Sequence, residues 1–253
     1  MRKMSKINGL LLGMLLSLSA TTAFSWSVKK DTSIERADSK ELKNEWKKDQ
    51  TYSIDFLPWN VSELEKAIDR TDPRSVAAYF CASYLRYTDN KKDGLDMLKA
   101  VSARGPAFDE RLEAGAQTAI SSFELNNLDH EHTERYWTGR ILFQGGNAQN
   151  GWKPSKPYTV HLNYLAENTE AVNKQFEGRD LISIHYNIIR ATQTDKGKGV
   201  AANIVLTRRK SNPNWYVTGA NGFINSPSGI RGNNWKDVPN DDTPESAHAG
   251  HYK

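Results

Sequence analysis

The sequence has no hydrophobic run long enough to cross a membrane as a helix. Its main apolar stretch covers residues 7–18, whereas a membrane-spanning helix needs roughly 20 apolar residues. Three basic residues precede this stretch, and a run of small residues follows it up to Ser25. A basic start, a short apolar centre and a small-residue cleavage site are typical of a secretory signal peptide. We therefore expect cleavage of residues 1–25 before Trp26 and export of the mature protein to the periplasm.

The mature chain also lacks an excess of charge of either sign. The full sequence has 34 basic and 30 acidic residues, and three of the basic residues but none of the acidic ones lie in residues 1–25. Removal of that segment leaves 31 basic against 30 acidic residues. A nearly neutral protein has no general electrostatic footprint for DNA or RNA, so we expect no nucleic-acid partner.

Cysteine is almost absent, since Cys81 is the single one in the chain. One cysteine forms no internal disulfide, although an exported protein could carry one. A lipid anchor would need a cysteine directly after the cleavage site, where Trp26 stands instead. Cys81 lies in an apolar helical run and is expected to be a buried, inert thiol. A catalytic thiol would need a histidine partner and an electropositive setting.

Recognised catalytic motifs are missing as well. There is no Gly-x-Ser-x-Gly, no phosphate-binding loop and no Gly-x-Gly-x-x-Gly. No pair among the six histidines has a zinc-binding spacing such as His-Glu-x-x-His. We therefore expect no metal site, no cofactor and no catalytic residue that a motif identifies. His161 and His185, on the polar phase of two predicted strands, stay open as a pair that faces across the sheet.

Helical signals dominate the first half of the mature chain. Residues 26–56 form a charge-rich N-terminal arm, and the folded domain is expected from residue 57. Asn60 is a suitable N-cap for a helix over 61–70, and Asp72-Pro73 is a strong start for a second helix. Apolar spacing predicts a third helix that stops before Gly105-Pro106 and a fourth over 112–123.

The period changes from helical to alternating after the Gly- and Asn-rich residues 144–151. Apolar and polar residues then alternate in four predicted strands, which cover 158–164, 182–188, 200–206 and 215–218. The sequence therefore predicts an α+β fold, with N-terminal helices (57–143) packed on a C-terminal antiparallel sheet of about four strands (157–224). A single domain is expected over 57–242, followed by a disordered tail over 243–253.

Candidate partner-binding residues lie in loops around the predicted sheet. Trp152, Lys153 and Lys156 share the loop 145–157, and Trp235 lies in a second loop rich in Gly and Asn. Loops on a rigid scaffold often carry function, and interfaces are enriched in tryptophan. The alternative, that Trp152 folds back over the edge of the sheet as part of the core, stays open.

Several short phrases resemble an uncharacterised family of exported bacterial proteins. They are Ala77-Ala-Tyr-Phe, Asp93-Gly-Leu-Asp-Met-Leu, Gly146-Asn-Ala-Gln-Asn-Gly-Trp, Lys156-Pro-Tyr-Thr-Val and Ser228-Gly-Ile-Arg. The resemblance covers about 57–242 and implies a helical front with a strand-rich back half, without catalytic residues to carry over. In size and export signal the chain is also similar to periplasmic accessory proteins of type VI secretion systems, of the AsaA type.

Three hypotheses about function follow from these observations. The first is a soluble periplasmic accessory protein, not an enzyme, that binds an envelope or secretion-machine protein such as an inner-membrane component. The second is a periplasmic enzyme that acts on cell-wall polymer and uses His161 and His185. The third is a binding protein for a small ligand, with a pocket between the helices and the sheet.

Overall fold

Helices cover one face of an antiparallel sheet in the computed structural model. The structure describes residues 41–103, 139–147, 150, 153–191 and 202–223, all of them within one compact unit, Ser33–Lys253. The fourth helix predicted over 112–123 and the tail over 243–253 lie outside the described residues.

Three helices follow one another near the start of the described chain. They are α1 (Val61–Ala67), α2 (Pro73–Asp89) and α3 (Lys91–Val101). Both predicted N-caps are confirmed, because Asn60 Oδ1 accepts a hydrogen bond from Glu63 N and Asp72 Oδ1 accepts one from Arg74 N. Pro73 occupies the first helical position of α2, where its missing N–H costs nothing.

Helix α2 is buried on almost every side, with 15 of its 17 residues buried. A helix that is apolar around most of its circumference belongs in the interior. Phe80 and Tyr84 are each 1% exposed, and Cys81 is fully buried. Burial raises the pKa of the Cys81 thiol far above its ordinary value, so the thiolate is suppressed, as the sequence predicts for an inert thiol.

A glycine allows α3 to pack directly on α2. Only Asn90 separates the two helices, and it caps α3 by accepting a hydrogen bond from Asp93 N at 3.1 Å. A Cβ at Gly94 would overlap the backbone nitrogen and Cα of Tyr87. The absence of a side chain at Gly94 therefore sets the close approach of the two helix backbones.

Five antiparallel strands form the sheet of the described residues, in the order in which they occur in the chain. They are β1 (Gln50–Ile54), β2 (Tyr158–Tyr164), β3 (Ile182–Ile189), β4 (Ala202–Arg208) and β5 (Tyr216–Asn221). The predicted α+β class is confirmed, with most of the helices N-terminal and most of the sheet C-terminal. The predicted strands over 158–164 and 182–188 lie within a residue of the observed bounds, and the last begins one residue later than predicted. Residues 200–201, where the third was predicted to begin, lie outside the described residues.

The additional strand comes from the segment that the sequence assigned to a charged arm. In β1, Tyr52 and Ile54 face inward, whereas Thr51 and Ser53 are exposed. Trp46, just before this strand, is 4% exposed and meets the ring of Trp215 edge-on, with 5.7 Å between ring centroids. The surrounding lysines and acids conceal a short alternating pattern, so charge density alone does not mark this part as an arm.

A fourth helix, α4 (Ala166–Gln175), completes the edge of β3 where β2 has already ended. The Asn173 side chain accepts a hydrogen bond from Ser183 N at 2.8 Å and donates one to Ser183 O at 2.9 Å. Thr169 Oγ1 accepts a hydrogen bond from His185 N at 3.1 Å, and Leu165 N donates to His185 O at 3.0 Å. Side chains of α4 thus satisfy backbone groups that a strand would otherwise pair.

We predict that Gly94→Ala destabilises the protein, although alanine favours a helix by about 1 kcal/mol over glycine. The added methyl group would collide with the backbone of α2, and overpacking of this kind costs about 1–3 kcal/mol. Urea unfolding of both proteins would measure the loss. Gly219→Ala is the matched control, because its Cβ would meet Val205 at an ordinary 3.4 Å. Equal stability of Gly94→Ala and wild type would contradict the close contact.

Candidate functional site

The candidate site lies at the end of the sheet where β1 ends and β2 begins. Ile54 is the register partner of Tyr158, so residues 55–59 and 153–157 leave the sheet at the same end. Gln144 N donates a hydrogen bond to Thr159 O at 2.7 Å, which brings the 3₁₀ turn Arg140–Leu142 to this end as well. Three chain segments that are distant in sequence therefore meet around one edge.

Phe56 is the large hydrophobic side chain that stands out at this end. It is 40% exposed and is the one exposed large hydrophobic residue in the part of the chain that the structure describes. Its neighbours Leu57 and Pro58 are buried, so the chain turns inward directly after Phe56. An exposed aromatic ring on an anchored loop is a suitable contact for another molecule.

The structure describes two of the four predicted partner-binding residues. Lys156 is exposed and Lys153 is partly buried, and both lie at the same sheet end as Phe56. Gly145 begins the loop with a φ of 89°, in agreement with the turn that the Gly and Asn content predicts. Trp152 and Trp235 lie outside the described residues, so the proposed roles of these two side chains stay predictions.

Beside Phe56, a small cleft opens between the 57–59 segment and the last turns of α2. It opens to solvent and has room for about one water molecule, and we call it the Trp59 cleft. Its lining residues come from these two segments: Leu57, Pro58, Trp59, Ala82, Leu85, Arg86 and Asp89. This site was not predicted from the sequence, because its residues come from a loop and from a helix that are separated along the chain.

Hydrogen bonds at the start of α1 fix the wall of the cleft. Glu63 N donates to the Asn60 side chain at 3.0 Å, and Glu63 Oε2 accepts from Trp59 N at 2.9 Å. This reciprocal arrangement resembles a capping box and holds the backbone at Trp59. The Arg86 guanidinium then lies over the Trp59 ring, 4.0 Å from its centroid, and adds a cation–π contact.

The floor of the cleft holds a buried carboxylate. Asp89, the last residue of α2, is 9% exposed, and its Oδ1 has no hydrogen-bond partner. Arg140 is fully buried nearby, on a turn that packs tightly because a Cβ at Gly139 would lie 2.7 Å from Leu85 Cα. Burial raises the pKa of Asp89 to about 7, although the positive charges of Arg140 and Arg86 act to lower it.

The two histidines of the enzyme hypothesis do not converge. His161 is opposite Ile189, whereas His185 lies four residues earlier on β3. At about 3.3 Å per residue this separates them by roughly 13 Å along the sheet. His185 is 6% exposed and its Nε2 has no hydrogen-bond partner, and burial lowers its pKa to about 4.

Neither a metal centre nor a membrane span is evident in the described segments. No group of three or more His, Cys, Asp or Glu side chains there could hold a metal ion. None of the helices described is both long and apolar enough to cross a bilayer. Trp215 is fully buried in the core.

We predict that Asp89 makes the protein less stable as pH rises from about 4 to about 7. Its folded pKa lies above its unfolded value, so its favourable contribution is complete below the unfolded pKa and is lost as pH rises through the folded pKa. Relative to wild type, Asp89→Asn should gain roughly 2 kcal/mol in unfolding free energy between about pH 5 and about pH 8. Ile204→Ala, a buried position on β4 that does not line the cleft, should change stability equally at both pH values. If the unfolding free energies of Asp89→Asn and wild type changed equally with pH, the raised pKa would be refuted.

The opposite dependence is expected for His185. Its folded pKa lies below its unfolded value, so its stabilising contribution is present above about pH 6.5 and is lost as pH falls towards 4. Between about pH 7 and about pH 4.5, the unfolding free energy of His185→Gln should therefore fall by roughly 2 kcal/mol less than that of wild type. Denaturant unfolding at both pH values measures this, with Asn163→Ala on the same sheet face as the control. An unchanged acid sensitivity would show that His185 is accessible to protons.

Comparison with known proteins gives one informative result. No curated protein and no solved structure has a significant match to the chain. A family model matches residues 56–228, more than half of the chain, and its description is "Domain of unknown function (DUF6935)". The match begins at Phe56 and includes every lining residue of the Trp59 cleft as well as Lys153 and Lys156. The chain therefore belongs to the DUF6935 family, an uncharacterised domain family.

Proposed function

We propose that this protein is a soluble periplasmic accessory protein that binds a component of an envelope-spanning complex. Export is supported by the basic start, the short apolar stretch and the small-residue site before Trp26. The suggested partner is an inner-membrane protein, and a type VI secretion system is the complex that the resemblance in size and export signal favours.

The exposure of Phe56 is the observation that carries this proposal. Burying an aromatic side chain contributes strongly to association, and interface hot spots are often aromatic residues near the centre of a contact. Phe56 projects from a loop whose next residues, Leu57 and Pro58, are anchored in the protein. An anchored ring loses little conformational freedom on binding, so more of its contact energy remains as affinity.

Charge at the same sheet end adds specificity to this surface. Lys156 is exposed at the sheet end where β1 ends, and Asp55 is exposed next to Phe56. Charged residues around an aromatic centre steer encounter and orient the partner. Trp152, in the same loop as Lys156, is expected to extend this surface.

Two alternatives find less support in the described residues. The enzyme hypothesis depends on His161 and His185, which lie at different positions along the sheet. The ligand hypothesis places a pocket between the helices and the sheet, but side chains of both layers fill that interface: Phe80, Tyr84, Ile184 and Tyr186 are at most 1% exposed. A binding surface at the sheet end agrees better with this arrangement.

Site-specific crosslinking in cells tests the proposal. We expect a photoreactive phenylalanine at position 56 to crosslink to a membrane component of the complex, because the ring is part of the contact. The same probe at Asn212, exposed in the turn between β4 and β5 at the opposite end of the sheet, is the matched control.

Identification of the crosslinked protein by mass spectrometry distinguishes the outcomes. A membrane protein captured from position 56 and absent from position 212 supports the proposal. Equal capture from both positions would show that Phe56 is not part of the contact. Recovery of the protein alone from both positions would overturn the accessory function itself.

A further inference from the structure

Four asparagines form a row across the outer face of the sheet, the face turned away from α2. Asn163 is the register partner of Asn187, Asn187 is the partner of Asn203, and Asn203 is the partner of Asn221. In β3 and β4 both neighbours of the asparagine are buried, so alternation places the asparagines on the opposite face. Neighbouring strands lie about 4.8 Å apart, so this asparagine row extends for roughly 14 Å.

The carboxamides of the asparagine row are accessible to solvent. Asn221 is exposed, and Asn163, Asn187 and Asn203 are partly buried. Asn203 Nδ2 donates a hydrogen bond to Asn187 Oδ1 at 3.3 Å. Each carboxamide has two N–H donors and an oxygen that accepts through two lone pairs. This bond uses one N–H and one lone pair, so further donors and acceptors along the row are left for a ligand.

The sheet face around the row is uncharged. Across the five described strands, none of the outward positions holds Asp, Glu, Lys or Arg, although these residues make up 25% of the chain. The exposed side of α4, by contrast, carries Glu167, Glu170 and Lys174. A sheet face that met only water would tolerate such charges. A neutral face with many hydrogen-bonding groups suits a neutral ligand, because a charged ligand would lose hydration there without gaining an opposite charge.

The spacing of the row favours a glycan over a peptide as the ligand. In an extended peptide, side chains on one face recur every two residues, about 6.6 Å apart. The asparagines recur at the strand spacing of about 4.8 Å, which is close to the advance of a linear glycan per sugar ring. An acetamido group offers an N–H and a C=O together, so it can exchange a pair of hydrogen bonds with a carboxamide. Val205 and Ile189, partly buried on either side of the row, offer apolar contacts to the C–H groups of the sugar rings.

We propose that the asparagine row binds a linear, uncharged glycan of N-acetylated sugars. The chain lies across the strands, with about one sugar ring at each carboxamide, as the strand spacing requires. Its acetamido and hydroxyl groups exchange hydrogen bonds with the asparagines. The inference goes beyond the accessory function and uses other residues than the surface around Phe56, so either proposal can fail without the other.

Titration of the full chain with tetra-N-acetylchitotetraose tests the inference, with calorimetry as the readout. N-acetylglucosamine is the matched short probe, because it has the same ring and acetamido group but can meet only a single carboxamide. We expect saturable binding of the tetrasaccharide and at least about tenfold weaker binding of the monosaccharide, since each additional hydrogen bond strengthens binding several-fold. Equal affinity for the two sugars, or the absence of saturable tetrasaccharide binding, would overturn the proposal.

Two variants locate the binding. Asn187→Leu keeps a side chain of similar size but removes the carboxamide, so it should weaken tetrasaccharide binding about tenfold. Asn168→Leu, at an exposed position of α4 outside the row, is the matched control and should bind like wild type. Unchanged affinity of Asn187→Leu would overturn the assignment to the asparagine row.

NMR spectroscopy of the wild-type protein locates the binding without a variant. The side-chain NH₂ signals of Asn163, Asn187, Asn203 and Asn221 should shift together as the tetrasaccharide is added, whereas the signal of Asn168 should not. Shifts confined to residues outside the row would overturn the site. If Asn187→Leu does not fold, this measurement decides the matter.

Discussion

The packing of α2 against the inner face of the sheet is the interaction on which the rest of the structure depends. Tyr84 Oη donates a hydrogen bond to Phe223 O at 2.8 Å, directly after β5. Its ring packs edge-on against the Phe223 ring. Since α2 is buried almost all round, it cannot shift without exposing much apolar surface, and burial of that surface is the main source of stability. Its last turn, with Arg86 and Asp89, is thereby held beside the sheet end that carries Phe56.

Elements with strong local patterns could be predicted from the sequence. The start of α2 follows from Asp72-Pro73, and β2 follows from strict alternation of apolar and polar residues. By contrast, α4 has a single buried residue, Thr169, and its role depends on hydrogen bonds to the backbone of β3. Such contacts leave no periodic signal. Likewise the short alternating pattern of β1 is hidden among charged residues, and β1 forms a strand through its pairing with β2, more than a hundred residues later.

The candidate site was predictable to a smaller extent. Lys156 could be identified because loop composition marks its segment, whereas Phe56 gains its position from the register between Ile54 and Tyr158. Asp89 resembles an ordinary polar residue at a helix end. Its raised pKa arises from burial, which outweighs the opposing charge of Arg140, about fifty residues away. Arg140 approaches because Gly139 has no side chain. Long-range packing of this kind cannot be deduced from one sequence without knowledge of the fold.

The hydrogen bonds from α4 to β3 have a consequence for the behaviour of the protein at high concentration. A strand that lacks a neighbour along part of its length presents unpaired backbone donors and acceptors to any other chain that can pair with them. Because Asn173 and Thr169 occupy these groups at Ser183 and His185, an intruding strand would first have to displace a helix. These polar side chains thus protect the sheet from intermolecular β-pairing. Where newly made chains are crowded and still expose unpaired strands, this closure limits aggregation once the sheet has formed.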